Sequence, residues 1–372
     1  MLVAWGAESA QFFIAQGFAL AILAWMQTLP EFAVEAVLAW KQQTPLLLAN
    51  LTGALRLLTG LGWPAIYFAA AFVQRKRTGK PLRAIRLEAS HSVQVFGLLP
   101  ALLYALVIWG KGTLHLYDSV VLTALYAAFL LLLSKLPPEE EEGIEELEFI
   151  PRTIVLSPRA VRVVLIGLCF AAGGGLIYFT AEPFLGSLIA LSGFLGIPAF
   201  LFIQWIAPIA SEFPEMASTF YFARTVTGAP MALMNMVSSN INQWTLLVAM
   251  LPMVFSASLG APSAIPFDKG QEMELLLTIA QALVAVLLLA NMEFAWWEAV
   301  GLFTLYVVQF VLATLHPAHP AWLVNLAANN REYTTAVYLA WVGVQVVRML
   351  ARREMPPVAR AFADTWRNHV AG

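Results

Sequence analysis

Residues 204–240 read QWIAPIASEFPEMASTFYFARTVTGAPMALMNMVSSN, with Ser211-Glu212-Phe213-Pro214-Glu215 at their centre. Two carboxylates and a proline stand in a run otherwise apolar enough to cross a bilayer. A carboxylate at that depth is expensive unless it is paired or hydrated, so it marks a functional position. Pro214 has no N–H for the carbonyl one turn earlier, which leaves a free backbone oxygen beside the acids. Oxygen ligands clustered at mid-membrane suit a hard cation. The stretch predicts a cation site on a broken helix.

The composition around it sets the class. Hydrophobic residues make up 60% of the 372, and the mean hydropathy is +0.74. Those values belong to an all-α polytopic membrane protein without a large soluble domain. A net charge of −2 says nothing about partners, and a single cysteine, Cys169, excludes an internal disulfide and a thiolate metal site. The first apolar segment lacks a basic start and carries Pro30-Glu31, so it reads as a mature span and not as a cleaved signal peptide. No His-Glu metal motif, serine elbow or phosphate loop stands at a helix start, so the chain reads as a transporter without a cofactor, not as an enzyme. Its expected partners are inorganic cations and the lipid bilayer, with no nucleic acid.

About ten spans fit the pattern: 11–40, 45–73, 92–109, 116–134, 159–196, 198–224, 230–254, 274–290, 294–315 and 333–350. Four regions follow. Residues 1–134 form a first transmembrane half, and 135–158 an acidic, solvated linker holding Glu139 to Glu142, Glu145, Glu146 and Glu148. Residues 159–315 form a second half, and 316–372 an extra span with a basic tail. His316 and His319 read as loop residues, and Trp296-Trp297 as part of an interfacial aromatic belt. Alternating the spans puts sixteen basic residues on one face and four on the other. By the positive-inside rule the linker and the C-terminus are cytoplasmic, in a cell inner or plasma membrane. Arg56 alone is left within the membrane.

Span 1 repeats the pattern of span 6. Gln27-Thr28-Leu29-Pro30-Glu31 aligns with Ser211-Glu212-Phe213-Pro214-Glu215. Pro45 follows Glu31 by fourteen residues and Pro230 follows Glu215 by fifteen; Asn50 and Asn235 follow by nineteen and twenty. One inserted residue accounts for both offsets. The copies lie five spans apart, so they cross the membrane in opposite senses. This predicts two inverted-topology repeats with proline-interrupted helices meeting near the midplane, and transport by alternating access.

These residues resemble the repeats of the cation/calcium exchanger superfamily, whose motif runs roughly (A/G)-T-S-x-P-E, then G-N-x-x-G-S-N on the next helix. The counterparts here are 26–31 with 49–54, and 210–215 with 235–240. The resemblance extends over most of the chain, without that family's helix ahead of repeat one and with an added C-terminal span. It implies antiport of Ca²⁺ against Na⁺ or H⁺. By position Glu31 and Glu215 become the central Ca²⁺ ligands, helped by Thr28, Ser211 and Ser239.

Several positions depart from that motif. Glu212 replaces the motif serine, Gln27 the motif threonine, and Ala54 a serine. Leu58 and Gln243 occupy the place of a polar Asn or Asp. A carboxylate at Glu212 in place of hydroxyls favours H⁺ over Na⁺ as counter-ion. Glu35, one turn after Glu31, either faces the cavity or reaches the outer interface. Asn50 and Asn235 are expected to tie helices together or line the cavity. Arg56 either pairs with Glu35 or Glu212 or snorkels to an interface, and the paired reading is the expectation. Were Arg56 to neutralise the site, the protein would instead be a non-cycling scaffold or sensor on the exchanger fold.

Overall fold

A computed structural model describes residues 2–10, 12–13, 28–136, 147–213, 216, 219–220, 223, 228–315, 320–352 and 354–369. Repeat one begins with α2 (Leu29–Trp40) and continues through α3 (Thr44–Thr78), α4 (Ala89–Lys111) and α5 (Leu116–Leu133). Ahead of it lies α1 (Leu2–Ala10), packed on α6 (Phe149–Leu156) and on α7 (Arg159–Phe194). Repeat two contains α8 (Ala199–Ser211, broken at Ile206), α9 (Ala229–Leu259), α10 (Lys269–Asn291) and α11 (Trp296–Ala313). The chain closes with α12 (Ala321–Ala328), α13 (Asn330–Ala351) and α14 (Pro357–His369).

Eight of these helices, α3, α4, α5, α7, α9, α10, α11 and α13, are long and apolar enough to cross a membrane. They match the expected spans 2–5 and 7–10. Spans 1 and 6 are the two interrupted by Pro-Glu, and each is described only in part. The linker is less solvated than its charge suggests, because α6 buries Pro151, Ile154 and Val155 against α1 and α7. Glu139 to Glu146 and His316 to His319 lie outside the described residues.

The two repeats match in backbone detail. Leu58–Gly62 in α3 and Gln243–Leu247 in α9 are both π-helical turns, 185 residues apart like Pro45 and Pro230. Such turns are rare and concentrate at functional places. Beyond them the register shifts by five residues, mostly because α3 has 35 residues and α9 has 31. At the new offset of 180, four helix starts are built alike. The N-cap N–H of Glu88, His115, Asp268 and Ala295 donates to the side chain three residues on, at His91, Asp118, Gln271 and Glu298, over 2.7–3.1 Å. Gly112 and Met292 occupy the same left-handed turn, at φ 66° and 62°. That conformation is easy for glycine and uncommon for methionine.

Short strands tie the halves together. β1 (Ala84–Arg86) pairs antiparallel with β4 (Glu293–Ala295), and β2 (Thr113–Leu114) with β3 (Ile265–Pro266). Exchanging the repeats turns one pair into the other. Each also joins loops that span alternation assigns to the same face. Between these ribbons, α3 packs on α10 and α11, and α9 packs on α4 and α5, so each repeat's second helix sits in the other repeat.

Close packing at the π-turn of α3 gives a test. A Cβ at Gly60 would stand 2.6–2.8 Å from the ring of Tyr306, which is buried against Trp205 at 5.4 Å. Gly60→Ala is expected to destabilise by ~1–3 kcal/mol through overpacking. Gly110→Ala, which meets nothing within 4 Å, should leave stability unchanged or slightly raised. Thermal unfolding of the two variants in detergent measures the difference.

Candidate cation site

Local chemistry explains why the acids lie where they do. Pro30 stands in the first turn of α2, where its missing N–H is harmless, and Glu31 follows at the positive end of the helix. Glu31 is 1% exposed and Glu35, one turn on, is 0% exposed. The Pro45 start of α3 then turns the chain back, so that Asn50 faces α2 and donates from Nδ2 to Glu35 Oε1 at 3.0 Å.

Repeat two supplies the answering groups. Ser211 ends α8 with its Oγ 3.5 Å from Glu31 Oε2, a long contact that crosses between repeats. Asn242 of α9 donates from Nδ2 to Thr28 Oγ1 at 2.6 Å, a second crossing. Gln243, the first residue of the π-turn, donates to Glu212 Oε1 at 2.5 Å. Each repeat therefore holds an acid of its broken span with an amide from its next span: Glu35 with Asn50, Glu212 with Gln243. The acids exchange places between copies, since Glu212 corresponds to Thr28 and Glu35 to Thr219.

The expected residues divide as follows. Thr28, Glu31, Ser211, Glu35, Asn50, Glu212 and Gln243 are all buried and linked in these pairs, and Ser239 is buried on α9. Glu35 faces inward, not toward an outer interface. Asn235 is half-buried, and no hydrogen bond joins its side chain to an acid among the described residues. Glu215 and Gln27 lie outside the described residues. Among the described residues no three acidic, histidine or cysteine side chains gather as a metal-binding group. Each of the described carboxylates Glu31, Glu35 and Glu212 lies beside an amide or a hydroxyl.

Arg56 corrects the reading from the sequence. It is 2% exposed, so it does not snorkel, and it pairs with neither Glu35 nor Glu212. Its Nη2 lies 2.9 Å from Oε2 of Glu274 on α10, a carboxylate that also takes Arg331 of α13. Nε of Arg56 donates to Thr52 O at 3.2 Å, and the guanidinium stacks 5.2 Å from the Trp205 ring. A carboxylate away from the site neutralises the arginine, so the premise of a self-neutralised scaffold is gone. The expected span 8 begins at Glu274, which places that acid at a membrane edge; α10 starts five residues earlier, at Lys269. Asn242 did carry a signal, since it stands in the polar cluster Ser238-Ser239-Asn240-Ile241-Asn242-Gln243 of an apolar span.

Helix α8 runs against α3 with almost no gap. A Cβ at Gly53 would lie 2.0 Å from the Gln204 carbonyl oxygen. That carbonyl is available because Pro208, four residues on, has no N–H to give it.

Comparison with known proteins agrees with this architecture. A sequence profile of the family described as Sodium/calcium exchanger protein matches residues 2–135 and 165–315. The fold is similar to the crystal structure of the H⁺/Ca²⁺ exchanger CAX, with a TM-score of 0.82 and 31% identity over 98% of this chain and 87% of that one. It shares its fold with native YfkE, with a TM-score of 0.55 and 14% identity over 83% and 88% of the two chains. The same holds for the sodium-calcium exchanger NCX_Mj soaked with Na⁺ and Sr²⁺, with a TM-score of 0.54 and 18% identity over 85% and 95%. No protein with a curated description matches this sequence.

The Arg56–Glu274 pair makes an ordered prediction. Glu274→Met strands a buried guanidinium and is expected to cost ~3–5 kcal/mol. Arg56→Met costs less, because Glu274 keeps Arg331. The double variant should be more stable than Glu274→Met alone, as read from thermal unfolding of all three.

Proposed function

Starting from the membership of this chain in the sodium/calcium exchanger family, whose members are integral membrane cation antiporters, we propose that it exchanges Ca²⁺ for H⁺ by alternating access at Glu31 and Glu215. Glu212, Thr28, Ser211 and Ser239 complete the oxygen set. Glu35, Asn50, Asn235 and Gln243 form its surroundings, and Arg56 stands outside it. The observation that carries the reading is the approach of Ser211 to the buried Glu31 across the repeat boundary. A site made by both repeats opens to one side or the other as the repeats rock against each other.

The choice of H⁺ follows from the chemistry of the acids. A Ca²⁺ leaving carboxylates in a dry site leaves charge that protons can neutralise, whereas Na⁺ needs several hydroxyl or carbonyl ligands in place. Glu212 stands where the resemblance implies a serine, and Gln243 holds it by a donor. The similarity to a protein described as an H⁺/Ca²⁺ exchanger points the same way.

The basic residues support a cytoplasmic C-terminus and linker in a cell inner or plasma membrane. The two blocks matched by the family profile support halves at 1–134 and 159–315, joined by the linker 135–158 and extended by 316–372.

Ca²⁺ uptake into proteoliposomes under imposed gradients is the test. A pH gradient should drive uptake when choline replaces Na⁺. Glu31→Gln should lower the flux by more than about thirtyfold, the equivalent of ~2 kcal/mol lost with a charged partner. Uptake driven by Na⁺ alone would refute the choice of H⁺, and a fully active Glu31→Gln protein would refute the site.

A further inference from the structure

The C-terminal span α13 lies outside both blocks of the family profile, yet it brings a charge to the core. Arg331, the second residue of α13, contacts one oxygen of Glu274 through Nε, and Arg56 holds the other through Nη2. Both guanidinium groups also lie over rings of α8. Arg56 is 5.2 Å from the Trp205 ring and Arg331 is 5.5 Å from the Phe200 ring. One carboxylate thus anchors two cations, and the cations grip the first segment of α8 at two points about a turn and a half apart. That segment leads into Ser211 and Glu212, and its Gln204 carbonyl rests on Gly53 of α3.

The sequence does not repeat this charge pair. At the matched positions Gln94 stands for Glu274 and Ile241 for Arg56. The arrangement is therefore not a requirement of the repeat fold. It belongs to the half that the C-terminal span covers, and α13 packs along α10 to deliver it.

We propose that Arg331 is a positioning residue for the cation site. Through Glu274 and Arg56 the C-terminal span holds α8 against α3, and so sets where Ser211 and Glu212 stand relative to Glu31. The inference rests on the antiport reading above. Arg331 is 40% exposed while Arg56 and Glu274 are 2% and 4% exposed, so removing Arg331 leaves a buried, neutral pair and an intact fold. What is lost is one grip on α8 and the restraint on the Glu274 carboxylate.

Arg331→Gln, Arg331→Lys and a control, Arg352→Gln just past the end of α13, are compared by two readouts. The first is hydrogen–deuterium exchange in residues 199–211 of the full chain in lipid nanodiscs. The second is the split between half-saturating Ca²⁺ and maximal rate in proteoliposomes. Arg331→Gln should speed exchange in 199–211 and raise half-saturating Ca²⁺ about three- to tenfold, the factor expected for one partly desolvated cation–π contact. Maximal rate should hold, Arg331→Lys should recover most of both effects, and Arg352→Gln should match the wild type. A merely structural role would lower the number of working molecules, and so the maximal rate, without moving half-saturation. Unchanged exchange in Arg331→Gln overturns the grip on α8, and unchanged half-saturation overturns its link to the site. If Arg331→Gln does not fold, Phe200→Leu removes the same contact from the other side and is held to the same outcomes. A wild-type protein that carries no Ca²⁺ would refute the antiport reading, while exchange in 199–211 would still decide the role of Arg331.

Discussion

A carboxylate without water needs a donor or a cation, and that requirement organises this protein. Glu31, Glu35 and Glu212 are all nearly inaccessible, the first two within the otherwise apolar α2 and the third at the end of α8. Burying them alone would be prohibitive. Glu35 and Glu212 are met by amides from the next helix of their own repeat, and Glu31 faces a hydroxyl from the opposite repeat. The inverted arrangement is what makes the last contact available. Ser211 at the end of α8 in repeat two meets Glu31 at the start of α2 in repeat one, as broken helices of opposite sense allow.

Much of this was legible in the linear chain, and the reason is physical. Pro30, Glu31, Pro45 and Asn50 recur as Pro214, Glu215, Pro230 and Asn235 because helix starts and a polar site at fixed depth constrain residue type at fixed spacing. Span lengths are readable because the bilayer sets them. The matched strands and caps were not readable. Strands of two or three residues have no usable periodicity, and the register had slipped from 185 to 180 between the π-turns and the loops.

The fate of Arg56 illustrates a second limit. Sequence shows that a buried arginine must be neutralised, but not by which acid, and the acids of the motif, Glu35 and Glu212, were the natural choice. Its partner is 218 residues away, on a helix whose start was drawn too late to count Glu274 as buried. The pair also separates two kinds of buried charge. Glu274 is consumed by two arginines and has nothing left to offer an ion. Glu35 and Glu212, by contrast, each take a neutral amide donor, from Asn50 and Gln243.

The contact between Gly53 and the Gln204 carbonyl has a mechanical meaning. Most helix pairs interlock through side chains, and one cannot move along the other without lifting knobs out of holes. Here a bare backbone oxygen rests on a bare Cα, so at that one contact no side chain is seated in a hole, while the neighbouring Trp205 still packs on Leu57. For repeats that rock against each other, that one contact can shift without lifting a side chain, because Pro208 leaves the Gln204 carbonyl unclaimed and Gly53 leaves room for it.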